Sequence, residues 1–272
     1  MSEKRLKGQV AWITGTASGI GQGIAELFGE EGVRCALIDQ NADGGAKVAE
    51  DIERKGGEAF FQTCDVADEV QVRDTIEAAV DRFGGLQILV NCAGIGHYKL
   101  LHEYGADEWD RLMDVNVKSI FFSVKHGVPH LLKNKRSYVV NIGSVGSFIG
   151  QYHTPSYITS KGAVLQLTRS IALDYAARGL RSNCVCPGIT ETPSFRHHLK
   201  TTPDPLATRA KRLSRVPMGV TMQPRDIAKA VRYLSCEDSS GVTGTSLIVD
   251  GGYIATAEWE TEGKTAFADS LD

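Results

Sequence analysis

The sequence predicts an α/β fold, a single domain built on a doubly wound parallel sheet with helices on both faces. Three observations carry this expectation. Short β-rich runs alternate strictly with longer segments of helical periodicity along nearly the whole chain. Successive strands are separated by enough residues to hold a helix, as parallel pairing with right-handed crossovers requires. Residues 86–90 form a run that is apolar except for Gln87, which suits a strand covered on both faces.

The elements follow in order. Residues 9–14 read as the first strand and 19–31 as the first helix; 33–38 and 42–54 repeat the pair, with Gly56 and Gly57 as the stop. A third strand at 59–63 precedes a helix over 68–83, where Val72, Ile76, Ala79, Val80 and Phe83 recur on one face. Gly84 and Gly85 end it, and the strand at 86–90 follows. Beyond lie a helical stretch at 106–132, a strand at 138–142, a helix at 156–177 and a strand at 181–185. A helix at 226–235 and a strand at 246–249 complete the set. Residues 191–215, with three prolines and an irregular pattern, read as a lid within a domain spanning 1–254. Residues 255–272 read as a polar tail, and Trp259 and Phe267 could dock it on a neighbouring subunit.

Hydrophobic residues make up 42% of the 272 and charged residues 23%, an ordinary globular balance. A net charge of −3 gives no footprint for nucleic acid or an anionic membrane. No apolar run approaches the roughly 18 residues needed to span a bilayer. The six cysteines are scattered without a CxxC pair, and the first residues lack the apolar core of a signal peptide. Reduced cysteines and a cytoplasmic location are expected. Cys184 and Cys186, two apart on a strand, share one face and pack. His197 and His198 form no metal-ligand pattern, so no metal is expected.

Between the first strand and first helix lies Thr14-Gly15-Thr16-Ala17-Ser18-Gly19-Ile20-Gly21, spaced G-x-x-x-G-x-G. Glycines there permit a tight turn and close backbone approach, and the helix N-terminus presents free N–H groups to a pyrophosphate. Asp39 ends the second strand, where a carboxylate can accept hydrogen bonds from adenosine ribose hydroxyls. A 2′-phosphate would meet a like charge, and Gln40-Asn41 supply no arginine to offset it. The reading is NAD rather than NADP. The alternative is that Asp39 only opens a turn and caps the next helix.

Tyr157 and Lys161 stand four apart at the start of a predicted helix and so share a face. A phenol ordinarily ionises near pH 10, and a neighbouring ammonium favours its phenolate. Taken in order with the glycine loop, Asn91-Cys92-Ala93-Gly94, Asn116, Ser144 and Pro187-Gly188, this set closely resembles the short-chain dehydrogenase/reductase family, over about residues 6–253.

The resemblance implies a Rossmann-like fold and an enzyme that moves hydride between a nicotinamide cofactor and a secondary alcohol carbon. It implies Tyr157 as acid/base, Lys161 as the residue that binds the nicotinamide ribose and favours the phenolate, and Ser144 as the hydrogen-bond partner of the substrate oxygen. Asn116 would hold a relay water. Gly15, Ser18, Gly19, Ile20 and Gly21 would cradle the phosphates, with Asp65 and Val66 at the adenine. Asn91, Ala93 and Gly94 would line the cofactor and support the sheet. Pro187, Gly188, Ile189, Thr190 and Thr192 would form the nicotinamide-side loop. Two positions depart from the family pattern: Cys92 replaces a second asparagine, and Gly143 replaces a serine before Ser144. The resemblance also implies a homo-oligomer, a tetramer or dimer.

The substrate signals are sparser. Arg196, Lys200, Arg209, Lys211, Arg212 and Arg215 populate the lid, with Asp204 as its acid. They read either as an anion-recognising set led by Arg196 or as the solvated face of an amphipathic helix. His97, Gln151 and His153 lie where substrate contacts are expected and suit a small hydroxylated substrate such as a sugar, polyol or hydroxy acid. The rival enzyme reading, an NADPH-dependent ketoreductase acting on carrier-bound ketoacyl groups, is opposed by Asp39. A dinucleotide-binding sensor or scaffold is opposed by the intact Ser–Tyr–Lys set.

Overall fold

The computed structural model describes residues 4–256. The tail beyond, with Trp259 and Phe267, lies outside the described residues. Seven parallel strands run β1 (Val10–Thr14), β2 (Arg34–Asp39), β3 (Glu58–Thr63), β4 (Ile88–Asn91), β5 (Ser137–Ile142), β6 (Leu180–Pro187) and β7 (Ser246–Val249). Their order across the sheet is β3-β2-β1-β4-β5-β6-β7. The chain therefore winds outward from β1 to β3, returns, and winds the other way from β4. A Rossmann-like sheet of this kind leaves a crevice at the carboxyl ends of β1 and β4, where the order reverses.

Strand alternation sorts side chains into two cores. Ala11 and Ile13 face α1 (Gly19–Glu30), α2 (Ala42–Arg54) and α9 (Pro224–Leu234). Val10 and Trp12 face α3 (Glu69–Phe83), α5 (Ser119–Leu131) and α6 (Pro155–Tyr175). The Trp12 indole N–H, buried with them, donates to Thr75 Oγ1 of α3 at 3.2 Å. Local chemistry sets the helix ends as the sequence suggests. Asp68 caps α3 by accepting from the Val70 and Gln71 amides, and Gly84 ends it in the left-handed region at φ +78°.

Two segments differ from expectation. The helical stretch at 106–132 is not continuous. It divides into α4 (Ala106–Met113), a π-helical turn over Asp114–Lys118, and α5. The lid is largely helical, with α7 (Pro193–Lys200) and α8 (Pro205–Leu213). Pro193 and Pro205, two of the three prolines of that segment, occupy first helical positions, where a missing N–H costs nothing. Thr192 and Asp204 cap these helices through the Phe195 and Ala207 amides.

A buried polar chain ties the sheet to its helices beneath the crevice. Ser123 Oγ of α5 donates to Asn91 Oδ1, Asn91 Nδ2 to Asn141 Oδ1 across the β4–β5 register, and Asn141 Nδ2 to Thr168 Oγ1 of α6, all within 2.7–2.9 Å. All four residues are buried, so every link avoids an unpaired polar group. Asn141→Ala orphans groups on both sides, and the expected loss is about 1–3 kcal/mol of stability, read from urea denaturation.

Candidate active site

The cofactor cradle is assembled by close backbone approach. Gly15 stands at φ +73°, and a Cβ there would lie 3.0 Å from Ala93 Cα in the loop after β4. A Cβ on Gly21 would lie 2.0 Å from the Gly15 carbonyl oxygen, so α1 packs directly on the loop. Thr14 Oγ1 accepts from both the Cys92 and Ala93 amides at 3.0 Å, clamping the two strand ends together. Ser18 occupies the N-cap of α1 without a side-chain capping bond, which leaves the N–H groups at Gly19, Ile20 and Gly21 facing the crevice end of the helix. These features fit a dinucleotide pyrophosphate. On the far side, Thr192 Cγ2 lies 3.3 Å from the Cβ position of Gly19, so the loop carrying Pro187, Gly188, Ile189 and Thr190 meets the phosphate loop. That loop is pinned by paired bonds to Met222, whose amide donates to Ile189 O and whose carbonyl accepts from the Glu191 amide, both at 2.8 Å.

Asp39 reaches back to the same loop: Oδ2 accepts from the Ala17 amide at 3.0 Å and Oδ1 from the Asn41 amide at 2.9 Å. The cap of α2 is Asn41, through the Gly44 amide, not Asp39. Asp65, expected with Val66 at the adenine, is paired in two-pronged fashion with Arg111 of α4, at 3.1 and 2.9 Å. Burial works against its ionisation, but Arg111 and the Ala67 amide hold its carboxyl below the usual range. Arg111 carried no motif signal in the sequence. The Asn91 amide, expected beside the cofactor, is spent on the buried chain described above; it supports the sheet.

The catalytic candidates converge where β4, β5 and α6 meet. Lys161, 5% exposed, donates to the Ile142 carbonyl at 2.8 Å, and its Nζ lies 5.7 Å from the Tyr157 ring centre. Asn116, inside the π turn, accepts from the Ile95 amide and donates to Ile95 O and Ser160 Oγ, at 2.8–3.0 Å. Ser160 in turn donates to the Tyr157 carbonyl at 2.7 Å. A Cβ on Gly94 would lie 3.3 Å from Asn116 Oδ1 and 3.5 Å from Lys161 Nζ; one on Gly96 would lie 3.3 Å from the Tyr157 ring. Glycine at both positions keeps that space open. Ser144 follows β5 and accepts from the Gly146 amide at 3.0 Å, which fixes its hydroxyl beside Gly146, with the Gln151 amide carbon 3.6 Å from that glycine's Cβ position.

The loop at 95–100 is tied down through Tyr104, whose hydroxyl accepts from Ser156 and donates to the His97 carbonyl. His97 Nδ1 is buried with no hydrogen-bond partner among the described residues. His153 adopts φ +60°, a conformation rare outside glycine, and its carbonyl accepts from the Lys99 amide at 2.8 Å.

The lid cations require correction. Arg196 and Arg209 both pair with Glu191, at 3.4 and 2.9 Å, so Glu191 is a second lid acid and Arg196 is not a free anion reader. Arg212 contacts His198 Nε2 at 2.7 Å, and His198 stacks on Tyr98 with ring centres 3.8 Å apart. These side chains close the lid on the body of the protein.

A family profile described as "Enoyl-(Acyl carrier protein) reductase" matches residues 15–254, and the chain belongs to the short-chain dehydrogenase/reductase family. It is 38% identical to 2-(R)-hydroxypropyl-CoM dehydrogenase from Xanthobacter autotrophicus, covering 91% of this chain and 99% of that one. Ligand-free aldohexose dehydrogenase from Thermoplasma acidophilum superposes with a TM-score of 0.86 at 32% identity, over 96% of this chain and all of that one. A structure from Agrobacterium tumefaciens, provisionally assigned as a 2-deoxy-D-gluconate 3-dehydrogenase and holding NADP, gives 0.85 at 33% identity, over 94% and 100%.

Burial and then the Arg212 charge hold His198 below the ordinary histidine value of 6.5. Protonation in the released lid therefore begins near 6.5, and the docked lid loses stability as pH falls through that value toward the lower docked one. Lid cleavage in limited proteolysis is expected to accelerate between about pH 7.5 and about pH 5.5, relative to a His198→Gln variant that accepts from Arg212 without titrating.

Proposed function

We propose that this chain is an NAD-dependent dehydrogenase, or ketone reductase in reverse, acting on a small polar secondary alcohol. The observation that carries the reading is the convergence of Tyr157, Lys161 and Asn116 on the space held open by Gly94 and Gly96. Bound NAD would supply the hydride acceptor there. Gly94 and the loop at 187–192 would line its nicotinamide end.

The chain's own groups do the rest. Tyr157 takes the alcohol proton at its phenolic oxygen as the carbon is oxidised, and returns it in the reverse direction. Lys161, anchored by Ile142 O, keeps a positive charge beside that oxygen as negative charge develops on it. Ser144 donates to the substrate oxygen and fixes its distance from Tyr157. Asn116 has both amide hydrogens engaged, and the remaining lone pair of Oδ1 borders the same space as Lys161 Nζ, which suits a relay water.

Asp39 supports NAD over NADP. Its carboxylate sits where the adenosine ribose hydroxyls would lie, and Gln40 and Asn41 bring no positive charge to a 2′-phosphate. The same residue weighs against the NADPH-dependent ketoreductase reading. For the substrate, the unpartnered His97 Nδ1 together with Gln151 and His153 favours hydroxylated compounds. With Arg196 paired to Glu191, the lid gives no support to an anionic group. The exposed apolar side chains Phe121 on α5 and Leu173 on α6 support the expected homo-oligomer, and light scattering should give a mass of two or four chains. A cytoplasmic location fits the reduced cysteines.

One experiment tests the whole reading: NAD and NADP titrations, then a panel of sugars, polyols, hydroxy acids and lipophilic alcohols, with Tyr157→Phe as control. Tight NAD binding, turnover of the polar compounds and a loss on the order of 10²–10⁴-fold in Tyr157→Phe are expected. Preferential NADP binding overturns the cofactor assignment, turnover of lipophilic alcohols alone overturns the substrate class, and full activity of Tyr157→Phe overturns the mechanism.

A further inference from the structure

Cys184 and Cys186 lie on one face of β6, fully buried, with their sulfur atoms 3.6 Å apart. Their place is made by Gly143, the residue before Ser144. A Cβ at Gly143 would lie 2.7 Å from Cys184 Sγ and 2.9 Å from Cys186 Sγ. The absent side chain at 143 and the two thiols are thus one arrangement, directly behind Ser144. The other four cysteines form no thiol–thiol contact among the described residues.

We propose that Cys184 and Cys186 form an oxidative modification site, a dithiol that a hydroperoxide converts to an intrastrand disulfide and a dithiol reductant restores. Cys186 is the attacking sulfur. A hydrogen bond from the Cys184 thiol holds it below the ordinary thiol range despite burial, aided by the Ser144 amide, while Cys184 is held up and keeps its proton. The Cys186 thiolate attacks one peroxide oxygen, the O–O bond breaks, and the departing alkoxide (hydroxide, from hydrogen peroxide) takes up a proton from solvent and leaves as an alcohol (or water). Cys186 is then a sulfenic acid, oxidised by two electrons that reduce the peroxide. Cys184 sulfur attacks it, the S–S bond forms, the S–O bond breaks, and water leaves carrying the Cys184 proton.

Two residues along a strand span about 6.6 Å, near the upper limit that a disulfide bridges. Closing the sulfurs from 3.6 Å to bonding distance therefore contracts β6. The contraction falls where Val185 pairs with Ile142, whose carbonyl holds Lys161, and one residue before the Pro187-Gly188 loop. A strained bond of this kind is readily reduced, which makes the change reversible. The bond itself is independent of the proposed reaction; only its effect on activity rests on that reading.

The test treats the purified full chain with hydrogen peroxide and follows intact mass, the 182–196 tryptic peptide and dehydrogenase activity. Expected are loss of the mass of two hydrogens in that peptide, a fall in activity on the order of a hundredfold, and recovery with dithiothreitol. Cys184→Ala and Cys186→Ala should each resist inactivation. Protection by Cys92→Ala instead, or oxygen addition without loss of the two hydrogens, overturns the proposal. A cross-link that leaves activity unchanged overturns its coupling to the site. Should either β6 variant fail to fold, the wild-type peptide mass alone decides the site. Should no substrate be found, that mass still decides it.

Discussion

The hydrogen bond from Lys161 to the Ile142 carbonyl is the contact on which the rest of the site depends. A lysine this buried is tolerated only when its ammonium is hydrogen-bonded and its charge is useful. Ile142 ends β5, one residue beyond its last pairing with β4 and still in register with Val185 of β6, and its carbonyl accepts from a helix packed across the sheet face. Tethering Lys161 fixes the rotation of α6 about its axis. Tyr157, one turn earlier, then has no choice of face. The buried chain from Ser123 to Thr168 performs the same task lower down, setting α5 and α6 against β4 and β5 so that the tether meets its acceptor.

The π turn completes the arrangement from the other side. A regular helix from 106 to 132 would turn Asn116 away from the loop after β4. One widened turn brings its amide onto both backbone groups of Ile95 and onto Ser160. The loop that carries Gly94 and Gly96 is thereby fixed from α6 and from the π turn together. Small residues in that loop then become a necessity, since any Cβ would enter the space between Lys161, Asn116 and Tyr157.

Most of this was legible in the sequence because it rests on short-range spacing. Strand and helix alternation, the glycine loop, Asp39 and the Tyr157–Lys161 interval depend on neighbours in the chain, and the structure places them together at the crevice. What was not legible depends on partners far apart. Arg111 meets Asp65 across 46 positions, and nothing near Arg111 marks it. Glu191 was hidden by its own surroundings: counting charges along the lid suggested a cationic surface, whereas folding turns Arg196 and Arg209 onto one carboxylate. The π turn leaves no periodic trace, since hydrophobic spacing on either side of it is helical. The lid helices were not legible because each is short and opens on a proline, Pro193 or Pro205, which interrupts the periodic pattern while starting a helix.

The glycine at 143 couples Ser144 to the strand behind it. In the sequence it is a glycine where the family pattern has a serine before Ser144. In the fold it is the vacancy that admits two sulfur atoms behind the serine that would orient the substrate oxygen. A catalytic wall built this way is as rigid as β6 itself, because the thiols fill the space that a side chain at 143 would otherwise occupy. The position of Ser144 is therefore set from behind by β6, just as that of Tyr157 is set from behind by the Ile142 tether. Both supports converge on the same few residues at the ends of β5 and β6. A change of state in that short stretch reaches Tyr157, Ser144 and the Pro187-Gly188 loop together.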